Sequence, residues 1–575
     1  MRLGALGLAG RALPTAPPDR PVPRSGDTGP ADGRAGGGTA SAGAVALYWQ
    51  QTGTAPACEN LDVVARPAGL EEHVVSKSSP HGPVAGPGRR QRLVLASCSM
   101  SILIVVLDFT ALNVALPTVQ RELHASVSGL QWTLAAYGLV LASLQMVAGS
   151  TGDRIGRRRT FQAGLWIFTV GSALCAVAPT LEWLVAFRVL QAVGGAVLSP
   201  VSLSIITHTF PDDRERARAI GVWSGVAGIA LAAGPLLGGV LVGSAGWRSI
   251  FWLSALVALA ALALTARCVP ESRALRPQPG DPIGQVLVVT LLAPLVYTII
   301  EAPGRGWDDP MILTCGTVAV LSLLALVAYE RRRTEPLLDL RFFRSAPFSM
   351  AAVIALCAMG ACAGFLFLST LYLQDARGFS ALRTGLWLLP MAAMTMVFAP
   401  LSGRLTGSRG PRLPLVLAGV ATAAGGLMFT VLNAESSSGL PLLAGYVLIG
   451  IGYSLVAAPI THMIVSGMPP ARAGVAGAIA MTSRLCGQSL GVAVTGAVLA
   501  ASLHHTTHTT VGAFAEAGRP AWWILTGCGA VVALLGVCAT TPWARRTADR
   551  AAALFPASPA APGTGPAPAE DSPRH

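Results

Sequence analysis

The sequence predicts an all-α protein that crosses a membrane fourteen times. Three observations carry this. Only 12% of the 575 residues are charged while 52% are hydrophobic, against about 25% charged in an ordinary soluble domain. Apolar runs of about 20 residues recur along the chain, the length that spans a bilayer core as a helix. Arginines are abundant in every second loop and sparse between, as the positive-inside rule requires. Each span must be a helix, because open strands leave backbone groups unsatisfied in lipid.

In chain order, residues 1–90 are rich in Gly, Ala, Pro and Ser and cannot bury enough apolar surface to fold, so a disordered tail is expected. The patch Leu3 to Leu8 follows only Arg2 and is too short for a signal peptide; a later start codon is another explanation of this tail. Residues 91–268 form a six-helix bundle with spans beginning near 93, 130, 160, 183, 218 and 248. Residues 269–345 add two helices, from 283 and 311, and a basic linker over 331–344; Pro294 interrupts the first. Residues 346–541 form a second six-helix bundle with spans from 347, 384, 412, 440, 474 and 520. The Ala/Pro-rich segment 542–575 is expected to be a second disordered tail.

With Arg89, Arg90 and Arg92 cytoplasmic, loops on that side hold nineteen arginines and loops on the other side six. This supports an even helix count, both termini cytoplasmic, and a place in the cell (inner) membrane. The net charge of +13 is therefore topological and implies no nucleic acid. Ten cysteines include no C-x-x-C pair, which supports neither a metal site nor a redox motif. His504, His505 and His508 share an outer loop without fixed geometry, and no metal or cofactor is expected there. Lys77 is the only lysine and no Gly-x4-Gly-Lys loop exists, so ATP hydrolysis is not expected.

The loop after helix 2, from Gly149 to Arg158, and the loop after helix 10, from Gly403 to Arg412, share the spacing Gly-x6-Gly-x-Arg. They lie eight helices apart, the offset of a six-helix parallel repeat with two inserted helices.

Four stretches carry a resemblance. Gly149-Ser-Thr-Gly-Asp153-Arg154-Ile-Gly156-Arg157-Arg158-Arg159, Arg188-Val-Leu-Gln191-Ala-Val-Gly194-Gly195, Gly234-Pro235-Leu-Leu-Gly238-Gly239 and Leu107-Asp108-Phe-Thr110-Ala-Leu-Asn113-Val-Ala-Leu-Pro117 resemble motifs of the major facilitator superfamily, in particular its fourteen-helix drug/proton antiporters. They span helices 1 to 5. Ala192 departs from the pattern, where the family usually has Gly. Leu371-Tyr372-Leu373-Gln374 and Pro390 are weaker echoes in the second half. The resemblance implies the major facilitator fold, two six-helix bundles plus two inserted helices. It also implies a proton-coupled antiporter, not an enzyme, that exports lipophilic small molecules such as drugs or antibiotics. Its expected partners are the substrate, protons and the lipid bilayer, and a monomer is expected. A non-transporting membrane sensor and a proton-coupled importer are the alternatives.

Asp108 sits between the apolar stretches Ile102–Val106 and Ala111–Leu116. A charged side chain at the bilayer centre costs roughly 2.5–3.5 kcal/mol on insertion scales and is rarely idle. It is the expected proton-coupling group, with Arg188 as partner; a structural acid, and an arginine snorkelling to the interface, are the alternative readings. Gly149, Asp153, Arg154, Gly156, Arg157 and Arg158 form the expected cytoplasmic gate loop, where positive-inside charge explains the arginines but not the glycines. Gly234, Pro235, Gly238 and Gly239 break the helix 5 ladder and admit a second helix. Glu301, near Arg305, Trp307, Asp308 and Asp309, is read as part of a solvated interfacial cluster.

Overall fold

The computed structural model describes residues 88–274, 281–333, 339–431, 439–465, 473–503 and 511–554. Most of both expected tails and the three histidines of the 504–508 loop lie outside the described residues.

Among the described residues fourteen helices have 20 residues or more. The first bundle comprises α1 (Arg89–Leu123), α2 (Val127–Ile155), α3 (Arg157–Ala176), α4 (Leu181–Thr209), α5 (Asp213–Ala245) and α6 (Arg248–Cys268). Then come α7 (Pro282–Arg305) and α8 (Pro310–Glu330). The second bundle comprises α9 (Ala346–Leu371), α10 (Ala381–Arg409), α11 (Arg412–Val431), α12 (Gly439–Val465), α13 (Ala473–Leu503) and α14 (Val511–Cys538). Thirteen of these are long and apolar enough to cross a membrane. The fourteenth, α3, opens on three arginines, yet its 20 residues rise about 30 Å, the thickness of the hydrocarbon core.

Helix ends follow local chemistry. Ser126 caps α2 by accepting from Gly129 N, Asp212 caps α5 through Glu215 N, and Asp309 caps α8. Pro294 does not divide α7, which runs unbroken through it; neighbouring helices and local adjustment tolerate such prolines in membrane spans. The shared loop motif has a shared geometry: Gly156 ends α2 and Gly410 ends α10, at φ of 122° and 79°, each donating its N–H four residues back at 3.1 Å.

Two further expectations differ from the structure. The last long helix begins at Val511, not near 520, with Pro520 inside it. Residues 542–575 do not form one disordered tail, because Pro542–Ala552 is a helix, α15. Thr541 caps it, accepting from Ala544 N at 3.3 Å, and Pro542 sits at the tolerated first turn. Ala544 and Ala551 are buried, and the Thr547 hydroxyl accepts from Ala346 N at 3.0 Å. An Ala-rich, capped segment has high helix propensity and needs little apolar surface to dock.

Within the first bundle α1 packs on α4, α5 and α6, α2 on α4, and α3 on α4 and α6. Within the second, α9 packs on α12, α13 and α14, and α11 on α12 and α14. Lipid provides no hydrophobic drive between helices, so small residues and tight packing hold them. Gly360 on α9 meets Gly487 and Gly491 on α13 backbone to backbone. Phe365, Phe429, Tyr446 and Trp522 from four helices interlock, with Phe429 and Trp522 stacked at 4.7 Å; each such pair contributes about 0.5–1.5 kcal/mol beyond area. The inserted α7 packs against α2, α13 and α8.

The bundles meet along α2–α13 and α5–α10, and they meet unequally. At the end bearing the α1–α2 turn, Gly239 packs on the Ala381 and Leu382 backbone and Gly385 on Pro235. There Gln131 donates to Ala493 O at 2.7 Å, and Gln374 donates to Val114 O at 2.8 Å. Toward the α2–α3 end, Cβ atoms added at Gly221, Gly225 and Gly228 of α5, or at Gly403 and Gly407 of α10, would meet nothing within 4 Å. Among the described residues the two bundles are closed together at one end and splayed at the other.

Candidate functional site

Asp108 lies midway along α1, and Arg188 lies two turns into α4. Both are 0% exposed. The α1–α4 packing brings them together, and Arg188 Nη1 donates to Asp108 Oδ2. Gln191, one turn beyond Arg188, donates from Nε2 to Asp108 Oδ1 at 2.9 Å and to Ser172 Oγ of α3 at 2.8 Å. Its Oε1 accepts from Arg188 Nη1 at 2.6 Å. Arg188 Nε donates to Thr133 O of α2 at 3.2 Å. The guanidinium stands 4.0 Å over the Tyr137 ring, with Phe251 of α6 on another side. The site thus draws on α1, α2, α3, α4 and α6.

A buried ion pair persists where its remaining lone pairs and protons are satisfied, and here both carboxylate oxygens are engaged. Two groups stay open: Arg188 Nη2 and the Tyr137 hydroxyl are buried without a hydrogen-bond partner among the described residues. Arg188 is not a snorkelling side chain, because its charge is enclosed by protein. At Ala192, where the resemblance expects Gly, close approach of α3 to α4 is kept by other glycines: a Cβ at Gly171 would stand 2.6 Å from Gln191 Cα, and Gly164 packs on Val197.

The expected loop Gly149–Arg158 lies at the splayed end and is almost wholly helical: Gly149–Ile155 are the last turns of α2, Gly156 makes the turn, and Arg157 and Arg158 open α3. Asp153 accepts from Arg157 at 2.9 Å. Gly156 holds a φ of 122° that side chains rarely adopt, and a Cβ there would stand 2.5 Å from Glu271 Oε1. Glu271, just after α6, accepts from Arg158 N at 3.2 Å and pairs with Arg159 at 3.7 Å. Arg157 N donates to Ser272 O at 2.9 Å, and Ala274 N donates to Asp153 O at 3.2 Å. Arg158 Nη2 reaches Ala266 O at 2.6 Å. Gly149 packs on Pro200 of α4, while Arg154 is exposed at the end of α2. The loop is fastened within its own bundle, to the segment leaving α6. Asp153→Asn keeps the shape but weakens the Arg157 pair. Transport should fall severalfold with substrate binding intact, measured as vesicle uptake beside equilibrium binding; wild-type uptake would reduce the loop to a topological signal.

Gly234 and Gly238 admit α1 at Thr110 and Ala111, and Gly239 admits α10. One short motif therefore joins three helices and both bundles. Glu301 is not a freely solvated acid: its Oε1 accepts from Trp132 Nε1 at 2.7 Å, with Arg305 at 3.8 Å.

Thr133, Tyr137, Ser172 and Glu271 belong to these sites without lying in any of the four motifs. A tyrosine within an apolar span and a lone acid beyond α6 were the available signals; Thr133 acts through its backbone and leaves none.

Comparison with known proteins agrees with this architecture. The Major Facilitator Superfamily profile matches residues 98–492. The multidrug resistance protein Stp of Mycobacterium tuberculosis is 37% identical over 418 residues, 73% of this chain and 78% of that protein. The tetracenomycin C resistance and export protein of Streptomyces glaucescens is 38% identical over 431 residues, 75% and 80% of the two chains. Among solved structures, a bacterial homolog of the human lysosomal transporter Spinster, inward-facing and unoccupied, superposes with a TM-score of 0.57 at 20% identity. It covers 81% of this chain and 99% of its own, and shows the shared fold. With its helical architecture, its spans and these relatives, the chain belongs to the Major Facilitator Superfamily, a family of membrane transporters rather than enzymes.

Proposed function

We propose that this chain exports lipophilic small molecules, drugs or antibiotics among them, in exchange for protons. The observation that carries the reading is the sealed Asp108–Arg188–Gln191 network, set in one of two bundles that pack more closely at one end than at the other. Relatives named for multidrug resistance and for tetracenomycin C export supply the substrate class. The 91–268 and 346–541 bundles rock about a central site, with 269–345 as an insert between them. Protonation of Asp108 removes the charge that Arg188 Nη1 and Gln191 Nε2 hold, so it loosens α1 from α4. The loop from Gly149 to Arg158 acts at the gate. One chain supplies both bundles, so a monomer suffices.

Expression in a host stripped of its own pumps should raise resistance to several lipophilic antibiotics, and a protonophore should cancel the effect. An unchanged susceptibility panel, with protein present in the membrane, would favour a sensor instead.

The arginine asymmetry further supports both termini cytoplasmic in the cell membrane, so the splayed end faces the cytoplasm. A cysteine placed at Arg333 should react with impermeant reagent only after permeabilisation. Labelling of intact cells there would overturn the fourteen-helix topology.

A further inference from the structure

The Asp108–Arg188 network leaves one deep charge unexplained. Arg484 lies two turns inside the apolar span Gly477–Leu503 of α13. Its Nη2 donates to Ala457 O at 3.1 Å and to Thr461 Oγ1 at 3.4 Å, both on α12. Its Nε is buried and has no hydrogen-bond partner, and no carboxylate among the described residues pairs with it. Asp108 and Arg188 neutralise each other; no described residue does so for Arg484.

The side of α13 it occupies follows from helix geometry at about 100° per residue. Gly487 and Gly491 make the stripe that meets α9. Ser489 and Gly496 make the stripe that meets Gly138 and Gln131 of α2. Leu490 and Ala493 pack with Val296 and Ile300 of α7. Arg484 and Gln488 fall on the remaining face, between the α9 and α2 stripes. That face looks into the gap between the bundles, and Ala457 and Thr461 beside it are exposed. A half-buried guanidinium at this gap with unused donors offers a charge-assisted, bidentate fit to carboxylate or phenolate. The same charge repels lipophilic cations.

We propose that Arg484 forms a substrate subsite for an acidic group on a lipophilic body, and so selects organic anions over cations. This rests on the transport reading above. The α12 carbonyl and hydroxyl orient the guanidinium toward the gap, while Asp108 and Arg188 handle the proton in the other bundle.

The test uses the full chain, purified for binding and in vesicles for export, with fusidic acid, its methyl ester, chloramphenicol and ethidium as probes. Wild type should bind fusidic acid about tenfold or more tighter than the uncharged ester, since one charge-assisted contact is worth that ratio. Arg484→Gln should erase the difference and leave chloramphenicol binding unchanged; Arg484→Lys should keep part of it. The wild-type acid-to-ester ratio stands even if a variant fails to fold. Equal affinity for acid and ester, tighter binding of ethidium than of fusidic acid, or an equal loss of all probes in folded Arg484→Gln overturns the subsite. Arg484-dependent binding of fusidic acid without export of any probe would sustain the subsite and sink the transport reading.

Discussion

Asp108→Asn should abolish uphill export driven by an imposed pH gradient. A gradient of one pH unit offers about 1.4 kcal/mol per proton, and only a titrating group can pass that on. Asn keeps the shape of Asp108 but cannot take up or release the proton. It also leaves Arg188 buried without its counter-charge, which costs about 3–5 kcal/mol when one partner of a buried pair is removed. Less folded protein is therefore expected, and the double change Asp108→Asn with Arg188→Gln separates the two effects. Removing both charges should restore the amount of protein without restoring coupled export. Downhill exchange should persist to some degree in either. Glu301→Gln is the comparison: its amide oxygen can still accept from Trp132 Nε1, so export should survive. Vesicle transport with and without the gradient reads all four proteins. Wild-type accumulation by Asp108→Asn would move proton coupling to another group.

Asp108 and Arg188 were legible because charge inside an apolar run is costly and stands out in a sequence. Arg484 carries that same signal and could be read in the same way. Which charges meet is another matter: Asp108 and Arg188 are 80 residues apart, and only the α1–α4 crossing joins them. Glu271 was illegible as a partner for the α2–α3 loop because its contacts are mostly to backbone N–H, which no residue type announces. The helices were legible in number and order, since hydropathy and loop charge set both. Their ends were less so: Glu516, Arg519 and Pro520 hide the first turns of α14, although the backbone stays helical through them. Residues 542–552 have little hydropathy, yet a Thr-Pro start and alanines sufficed for a docked helix.

Nor does composition tell which glycines are packed. Gly221 precedes Gly239 by 18 residues on α5, and Gly385 precedes Gly403 by 18 on α10, about five full turns in each case. Each pair therefore lies on one face of its helix, yet Gly239 and Gly385 are packed against the opposite bundle while Gly221 and Gly403 face open space. If the bundles rock, the open glycines become the crossing when the splayed end closes. Gly239→Val and Gly221→Val should then both stop transport, for opposite reasons. A Cβ at Gly239 would lie 2.6 Å from Ala381 O and 2.9 Å from Leu382 Cα, and backbone cannot yield cheaply. Overpacking of this kind costs about 1–3 kcal/mol, a shift of roughly 5–150-fold in population away from the conformation seen. Gly221→Val costs this conformation nothing and obstructs the other. Spin labels at Ser244 and Arg383 report the closed end, and labels at Asp213 and Ser408 the splayed one. Gly221→Val should hold the first pair short and the second long; Gly239→Val should lengthen the first and shorten the second. Wild-type export in both variants, or the same distances in both, would show that α5 and α10 do not form the alternating contact.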